Sequence, residues 1–150
     1  MLQEYSQPTS LRSEVVKLYW SVSWRGQVCR FFCRLFGRPV NLEPLACATL
    51  SGDLHEQHYA GVRAVAMDAI CGTAEQAPAF DGEFRPIGEL PKQRWLNIAE
   101  ARLSGEAMPA VQLIEVQGCY YVRDGHHRIS VARALGEAFI DAEITRYQVR

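Results

Sequence analysis

Five consecutive residues carry the side chains of this chain that are best suited to chemistry: Asp124-Gly125-His126-His127-Arg128. An arginine binds phosphate or carboxylate through a paired set of hydrogen bonds. Imidazoles donate hydrogen bonds and act as bases near neutral pH. A carboxylate such as Asp124 caps a helix or orients an imidazole. Together these residue types favour a site for a phosphate-bearing ligand over a set of merely solvated side chains.

The flanking sequence predicts that these residues lie where a strand turns into a helix. Tyr120, Tyr121 and Val122 are strand formers, and the Asp-Gly pair at 124–125 breaks the strand. Apolar residues then recur at helical spacing, and Gly136 stands where a helix-ending glycine belongs. The first turn of a helix has backbone N–H groups without helical partners and the positive end of the helix dipole. Because Gly125 has no side chain, we expect an anion to approach this backbone closely.

This arrangement gives the candidate site residues. The predicted phosphate-binding residues are Gly125, His126, His127, Arg128 and Ser130. If a reaction takes place at the site, His126 and Asp124 are the candidate catalytic residues. A carboxylate from elsewhere is the alternative base, and the candidates are Asp68, Glu75, Asp81 and Glu83. The sequence shows no clear set of metal ligands and assigns no metal site, although Mg²⁺ is compatible with phosphate chemistry.

Composition bounds the class of protein. A chain of 150 residues with 48% hydrophobic residues fits one domain, with room for an appended arm. The net charge of −1 gives no whole-chain case for nucleic-acid binding. Five cysteines without framework spacing indicate reduced thiols. With no signal-like start and no apolar run long enough to span a bilayer, we expect a cytoplasmic protein without a transmembrane segment.

The basic charge is concentrated near the N-terminus, where residues 1–38 hold six basic and two acidic residues, a net charge of +4. A helix is predicted over residues 11–36, with a wide aromatic face and a basic stripe at every fourth residue from Arg30 to Arg38. Packing on the domain or on a partner is the favoured role for residues 11–38. A membrane surface and the DNA backbone are the alternatives. An oligomer that depends on this helix is a further expectation.

The chain is divided into an N-terminal basic amphipathic helical arm with its linker, residues 1–61, and a domain at residues 62–150. Within the linker, residues 39–61, a short helix is predicted near residues 43–50. The elements predicted for the domain are a strand at 62–67, a turn at 68–72, a loop at 73–91, a helix at 90–103, a hairpin of strands 111–116 and 120–123, the helix that starts at His126, and a strand at 139–147. This order predicts a compact α+β domain with a small mixed sheet.

Residues from about 62 to 145 resemble the ParB/sulfiredoxin superfamily, in the branch called the ParB-like nuclease or ParB N-terminal domain. The resemblance is carried by four features: Gly105 with Pro109-x-Val111, the strand Val111–Val116, the run from Tyr121 to Gly136 with its Asp-Gly-His-His-Arg core, and the trailing segment Ile140–Ile144. It implies a fold in which the Gly-His-His-Arg turn holds the phosphates of a nucleotide.

Members of the superfamily use this turn differently. Sulfiredoxins use ATP to repair an overoxidised peroxiredoxin and place a cysteine where this chain has His126, so we do not expect sulfiredoxin activity. Partition proteins bind CTP and carry a helix-turn-helix region after this domain. Here only 14 residues follow Gly136 and they predict a strand, so we do not expect a complete partition protein.

The resemblance therefore implies a protein that binds a nucleotide (ATP, ADP or CTP) and that is regulatory or associated with DNA. Other relatives are kinases of free serine, and the branch carries a nuclease label. The alternative is accordingly a phosphotransferase or a phosphodiester hydrolase that uses the same turn.

Overall fold

The computed structural model describes residues 10–44, 54–89 and 91–149. Its α-helices are α1 (Leu11–Leu35), α2 (Lys92–Leu103) and α3 (His126–Ala134). Its strands are β1 (Glu43–Pro44), β2 (Leu54–Ala66), β3 (Ile70–Thr73), β4 (Val111–Val116), β5 (Cys119–Asp124) and β6 (Phe139–Val149). The predicted α+β class, with a helix at the N-terminus and a mixed sheet, is confirmed.

The described strands form one six-stranded sheet in the order β1-β3-β5-β4-β6-β2. β3 runs parallel to its neighbours β1 and β5, and β4 runs parallel to β6, whereas the β4–β5 and β2–β6 pairs are antiparallel. The predicted hairpin of β4 and β5 turns through Gln117 and Gly118, which both have positive φ, as a two-residue type I′ turn requires.

The parallel pairing of β3 and β5 positions the site. The carboxyl ends of parallel neighbours lie at the same edge of a sheet. Thr73, the last residue of β3, is paired with Val122 of β5. The chain leaves β5 at Asp124 and enters α3 at His126, so Thr73 lies beside the start of that helix.

The segment before the domain differs from the prediction. Residues 54–61, which were expected to be linker, form the first part of β2, so the proposed boundary at residues 61 and 62 falls inside a strand. β2 pairs with β6 along its length, and the register shifts between Tyr59 and Val62, around Gly61. The glycine that suggested a linker thus marks an irregularity within a strand. The long partner β6 supplies the pairing that a local pattern does not reveal.

Two shorter predictions also need correction. A short helix was expected near residues 43–50, but Glu43 and Pro44 form β1 beside β3, and residues 45–50 lie outside the described residues. A turn was expected at residues 68–72. A 3-10 turn instead occupies Met67–Ala69, and Ile70–Thr73 form β3.

One face of α1 packs on the rest of the molecule, as the favoured interpretation of the arm required. Val15 and Tyr19 are fully buried, and the Tyr19 ring lies edge-on to Trp95 of α2 at 5.3 Å between centroids. The Tyr19 hydroxyl donates a hydrogen bond to the Gly88 carbonyl at 2.6 Å. Within residues 10–44, 54–89 and 91–149, no helix is long and apolar enough to cross a membrane.

Candidate phosphate-binding site

The turn from β5 into α3 is made by Gly125, which has φ 105° and ψ 22°. This left-handed conformation is the region that favours glycine. A Cβ at this position would lie 2.6 Å from Cγ1 of Val111 in β4, closer than carbon atoms approach. The turn therefore needs glycine both for its backbone and because Val111 fills the space beside it. On this side of Gly125, Val111 therefore occupies the space in which we expected an anion to approach the backbone.

The start of α3 is left open. No side chain of the described residues caps it, and the first intrahelical bond is donated by the Ile129 N–H to the Gly125 carbonyl at 3.0 Å. The N–H groups of residues 126–128 accordingly have no helical acceptors. A cavity of about 280 Å³ opens here, and Gly125, His126 and His127 line it. The predicted strand, turn and helix thus present the open helix end to a cavity.

His126 is held by the end of β3. Its Nε2 lies 2.8 Å from the Thr73 hydroxyl oxygen, which lies closer still to the Glu75 carbonyl oxygen, at 2.5 Å. A hydroxyl has one hydrogen to donate. When Thr73 donates it to the Glu75 carbonyl, His126 donates its Nε2–H to Thr73 and carries its lone pair on Nδ1. Burial lowers the pKa of His126, opposed in part by the charges of Asp124 and Glu75. His126 is therefore neutral at neutral pH.

His127 is also neutral at neutral pH. Burial lowers its pKa to about 4, and the positive charge of Arg94, together with that of His126 when it is protonated, acts in the same direction. Its ring lies edge-on to Phe80 at 5.0 Å, and the Phe80 ring is stacked beside His126 at 6.3 Å. Phe80 therefore contacts both imidazoles.

The structure uses Arg128 internally. Its Nη1 donates to the Pro109 carbonyl at 2.6 Å and to the Ala110 carbonyl at 2.9 Å, and its Nη2 donates to Asp124 Oδ2 at 2.7 Å. The Arg128 side chain is only 15% exposed, whereas that of Asp124 is 59% exposed. Arg128 ties the segment before β4 to the start of α3, so a paired grip on an anion would require some of these bonds to break.

Ser130 lies apart from the other predicted site residues. It is buried, and its hydroxyl oxygen accepts a hydrogen bond from Nε1 of Trp95 at 2.9 Å. Among the cavities of the described residues, Ser130 lines one of about 460 Å³ that does not include the turn. Its visible role is to join α2 to α3.

The packing of α2 on α3 also brings Arg94, which was not among the predicted site residues, to the cavity. Arg94 of α2 is exposed and lines the same 280 Å³ cavity as the start of α3. In the described part of the chain, no carboxylate pairs with Arg94. The sequence places Arg94 off the apolar face of its helix but contains no signal that this helix meets α3. Only the packing of α2 on α3 shows it.

A second cavity of about 420 Å³ adjoins the first. The two share lining residues Gln76, Ala77, Pro78 and Phe80, and the second is completed by Asn41, Leu42, Thr73 and Glu75. Of the four carboxylates considered as an alternative base, Glu75 lies in this second cavity.

The other three carboxylates do not line either cavity. Asp68 and Glu83 line the 460 Å³ cavity with Ser130. Asp81 is buried and pairs with Arg30 at 3.3 Å and with Arg85 at 3.7 Å. Among the residues that the structure describes, no three His, Cys, Asp or Glu side chains are grouped so as to hold a metal ion.

Comparisons with known proteins concern the fold. No family model matches this chain, and no curated protein sequence matches it significantly. The crystal structure of sulfiredoxin from Arabidopsis thaliana is similar at 18% sequence identity, with a TM-score of 0.43. The similarity covers 58% of this chain and 86% of that chain. A similarity at this low identity bears on the fold and not on function. Membership of the ParB-like branch stays a prediction.

Proposed function

We propose that the cavity at the start of α3 binds the phosphate groups of a nucleotide. The observation that carries this proposal is the meeting of an uncapped helix start with an arginine, Arg94, that no described carboxylate neutralises. Free N–H groups at a helix start and an arginine both favour a negative ligand. The neutral imidazoles of His126 and His127 add uncharged hydrogen-bonding groups on the same side.

The adjoining cavity suits the nucleoside. Leu42 and Phe80 are buried apolar side chains at its wall, and Asn41 and Gln76 offer amide donors and acceptors. Because the two cavities share Gln76–Pro78 and Phe80, they are neighbours, and we expect a ligand with its phosphates at the start of α3 to extend into the second cavity. Small-molecule sites combine apolar walls with a few polar groups in this way.

Asp124 bears on the form of the ligand. Its carboxylate is exposed and lines the phosphate cavity, where it would repel a bare phosphate. A Mg²⁺ ion that the nucleotide carries is commonly held by phosphate oxygens together with one or two carboxylates. Asp124 is the residue that would take this ion, so we expect ATP, ADP or CTP to bind better with Mg²⁺ than without it.

A second candidate is phosphoryl transfer or phosphodiester hydrolysis at the same site. It is favoured by the hydrogen bond between Thr73 and His126, which puts the histidine lone pair on Nδ1 in the arrangement where Thr73 donates its hydrogen to the Glu75 carbonyl. A substrate hydroxyl, or a water, that attacks phosphorus loses its proton. The neutral His126 is the base that this site supplies for that proton.

Binding is tested by thermal unfolding with ATP, ADP or CTP, each with and without Mg²⁺. A nucleotide present at a hundred times its dissociation constant should raise the melting temperature by about 5–10 °C. Arg94→Gln should weaken binding about tenfold or more. The matched control is Arg123→Gln, because Arg123 is exposed but does not line the cavity. If no nucleotide shifts unfolding, or if both variants bind equally well, the proposal is wrong.

Catalysis is tested separately on protein that binds nucleotide. Release of ADP or phosphate is followed with water alone and with a panel of small hydroxyl compounds that includes free serine. His126→Gln should abolish turnover and leave nucleotide affinity within a few-fold of the original. Binding without turnover would leave the regulatory role, and turnover that survives His126→Gln would exclude this histidine as the base.

A further inference from the structure

The outer face of α1 is apolar, although its inner face is already packed. The buried residues of α1 are Val15, Tyr19, Ser23 and Gly26, and they lie on one side of the helix. The exposed apolar residues are Trp20, Trp24, Val28, Phe31, Phe32, Leu35 and Phe36, and we call this set the aromatic stripe. At 100° per residue, Trp24, Phe31 and Leu35 point away from the buried side. Trp24 is 66% exposed and Phe36 is 72% exposed.

This surface is also positively charged. Between Glu14 and Glu43 the sequence has five basic residues and no acidic one: Lys17, Arg25, Arg30, Arg34 and Arg38. Arg30 pairs with the buried Asp81, whereas the other four have no ion-pair partner among the described residues. Arg25 and Arg34 lie on the two flanks of the aromatic stripe, about a quarter turn from its centre at 100° per residue.

We propose that α1 lies on an anionic lipid surface, with the aromatic stripe in the headgroup region and the basic residues against lipid phosphates. Helices that lie in a membrane interface combine exposed Trp, Phe and Leu with Lys and Arg. A negative bilayer surface attracts such basic residues. The inner face stays on the domain, so α1 reaches the lipid from one side and does not cross it.

Charge and composition favour lipid over two other occupants. A second copy of the chain would bring two helices with the same excess of positive charge face to face, which opposes association. Nucleic acid would satisfy the basic residues, but a phosphate backbone does not cover the five aromatic residues of the stripe. An anionic bilayer accommodates both the charge and the apolar area.

The test measures the full chain on two kinds of vesicle, phosphatidylcholine alone and phosphatidylcholine mixed with phosphatidylglycerol. The chain should sediment with the anionic vesicles and much less with the neutral ones. The three tryptophans are Trp20, Trp24 and Trp95, and Trp95 is fully buried on the inner side. A blue shift of tryptophan fluorescence on the anionic vesicles therefore reports Trp20 and Trp24 entering an apolar environment.

Two double variants and one single control separate the contributions. Trp24→Gln with Phe31→Gln should lower partitioning about tenfold or more, through lost apolar burial. Arg34→Gln with Arg38→Gln should lower it about thirtyfold on anionic vesicles and leave the weak neutral binding unchanged. Val62→Gln is the control, because Val62 is 59% exposed and lies on β2. It should bind vesicles as the original chain does.

Several outcomes would overturn the proposal. One is failure of the original chain to sediment with anionic vesicles; another is equal binding to both vesicles. A concentration-dependent dimer that Trp24→Gln with Phe31→Gln dissociates, without vesicle binding, would assign the stripe to a second copy. DNA retention that depends on Arg34 and Arg38, again without vesicle binding, would assign it to nucleic acid. None of these outcomes depends on nucleotide binding at α3.

Discussion

Replacing Gly125 by alanine tests why the turn before α3 needs glycine. The added methyl meets two separate obstacles. The backbone has φ 105°, and the new Cβ lies 2.6 Å from Cγ1 and 2.9 Å from Cβ of Val111. Gly118→Ala provides the matched control, because Gly118 has φ 84° and open space where a Cβ would stand. The control carries the backbone strain without the collision.

The backbone strain and the collision with Val111 each have an expected free-energy cost. Positive φ at a residue with a Cβ costs about 1–2 kcal/mol, so Gly118→Ala should lower the free energy of unfolding by about that amount. Crowding a packed site adds about 1–3 kcal/mol. Val111 is fully buried on a central strand and cannot swing into solvent. Gly125→Ala should therefore cost about 2–5 kcal/mol, more than Gly118→Ala.

Urea unfolding followed by circular dichroism measures both variants, and a double-mutant cycle locates the collision. Val111→Ala alone should destabilise the protein by about 2–3 kcal/mol, because it leaves a cavity. In that background the additional effect of Gly125→Ala should fall but stay above the value for Gly118→Ala, because the Cβ at position 111, 2.9 Å from the added methyl, remains. If Gly125→Ala costs no more than Gly118→Ala, or if Val111→Ala leaves its effect unchanged, then Val111 does not impose the glycine.

The other predictions concern the remaining polar residues of the turn. Arg128→Ala should lower the free energy of unfolding by about 2–4 kcal/mol, because two carbonyls and a carboxylate lose a charged donor; urea unfolding checks this, and Arg123→Ala should change it little. Ser130→Ala should cost about 1–2 kcal/mol, because the Trp95 N–H loses its acceptor, and should leave nucleotide affinity unchanged. An NMR titration should place the pKa of His127 near 4 rather than at its usual 6.5. Because that pKa is lowered on folding, the contribution of His127 to stability is present above pH 6.5 and is lost as the pH falls towards 4, and His127→Gln should reduce this loss.

The elements around the site could be predicted because their signals are local. The bounds of β4 match the sequence prediction, and β5 extends it by one residue at each end. The strand predicted at residues 139–147 is also confirmed as part of β6, whose residues alternate: Ile140, Ala142 and Ile144 are buried and Asp141 is exposed. Period-two alternation, glycine turns and helical spacing all act within about ten residues, so the chain specifies them without its distant parts.

The partners of the polar side chains could not be predicted, because they come from distant segments. Arg128 was expected to bind an anion, but its carbonyl acceptors lie 18 and 19 positions earlier, before β4. Ser130 was expected at the site, but it faces Trp95 of α2. Residue type shows that a polar side chain can donate or accept hydrogen bonds, and only the arrangement of the segments shows which group it bonds to.

The sequence alone determined that Asp124–Arg128 form the junction of a strand and a helix. The strand formers before the junction, the glycine within it and the helical spacing after it all favour this local structure. Tertiary structure decided the rest. Packing of β4 places Val111 beside Gly125, and packing of α2 on α3 places Arg94 at the open helix end. Among the described residues, the cation that lines the cavity without a carboxylate partner is therefore Arg94, because side chains far apart in the chain meet only when their elements pack.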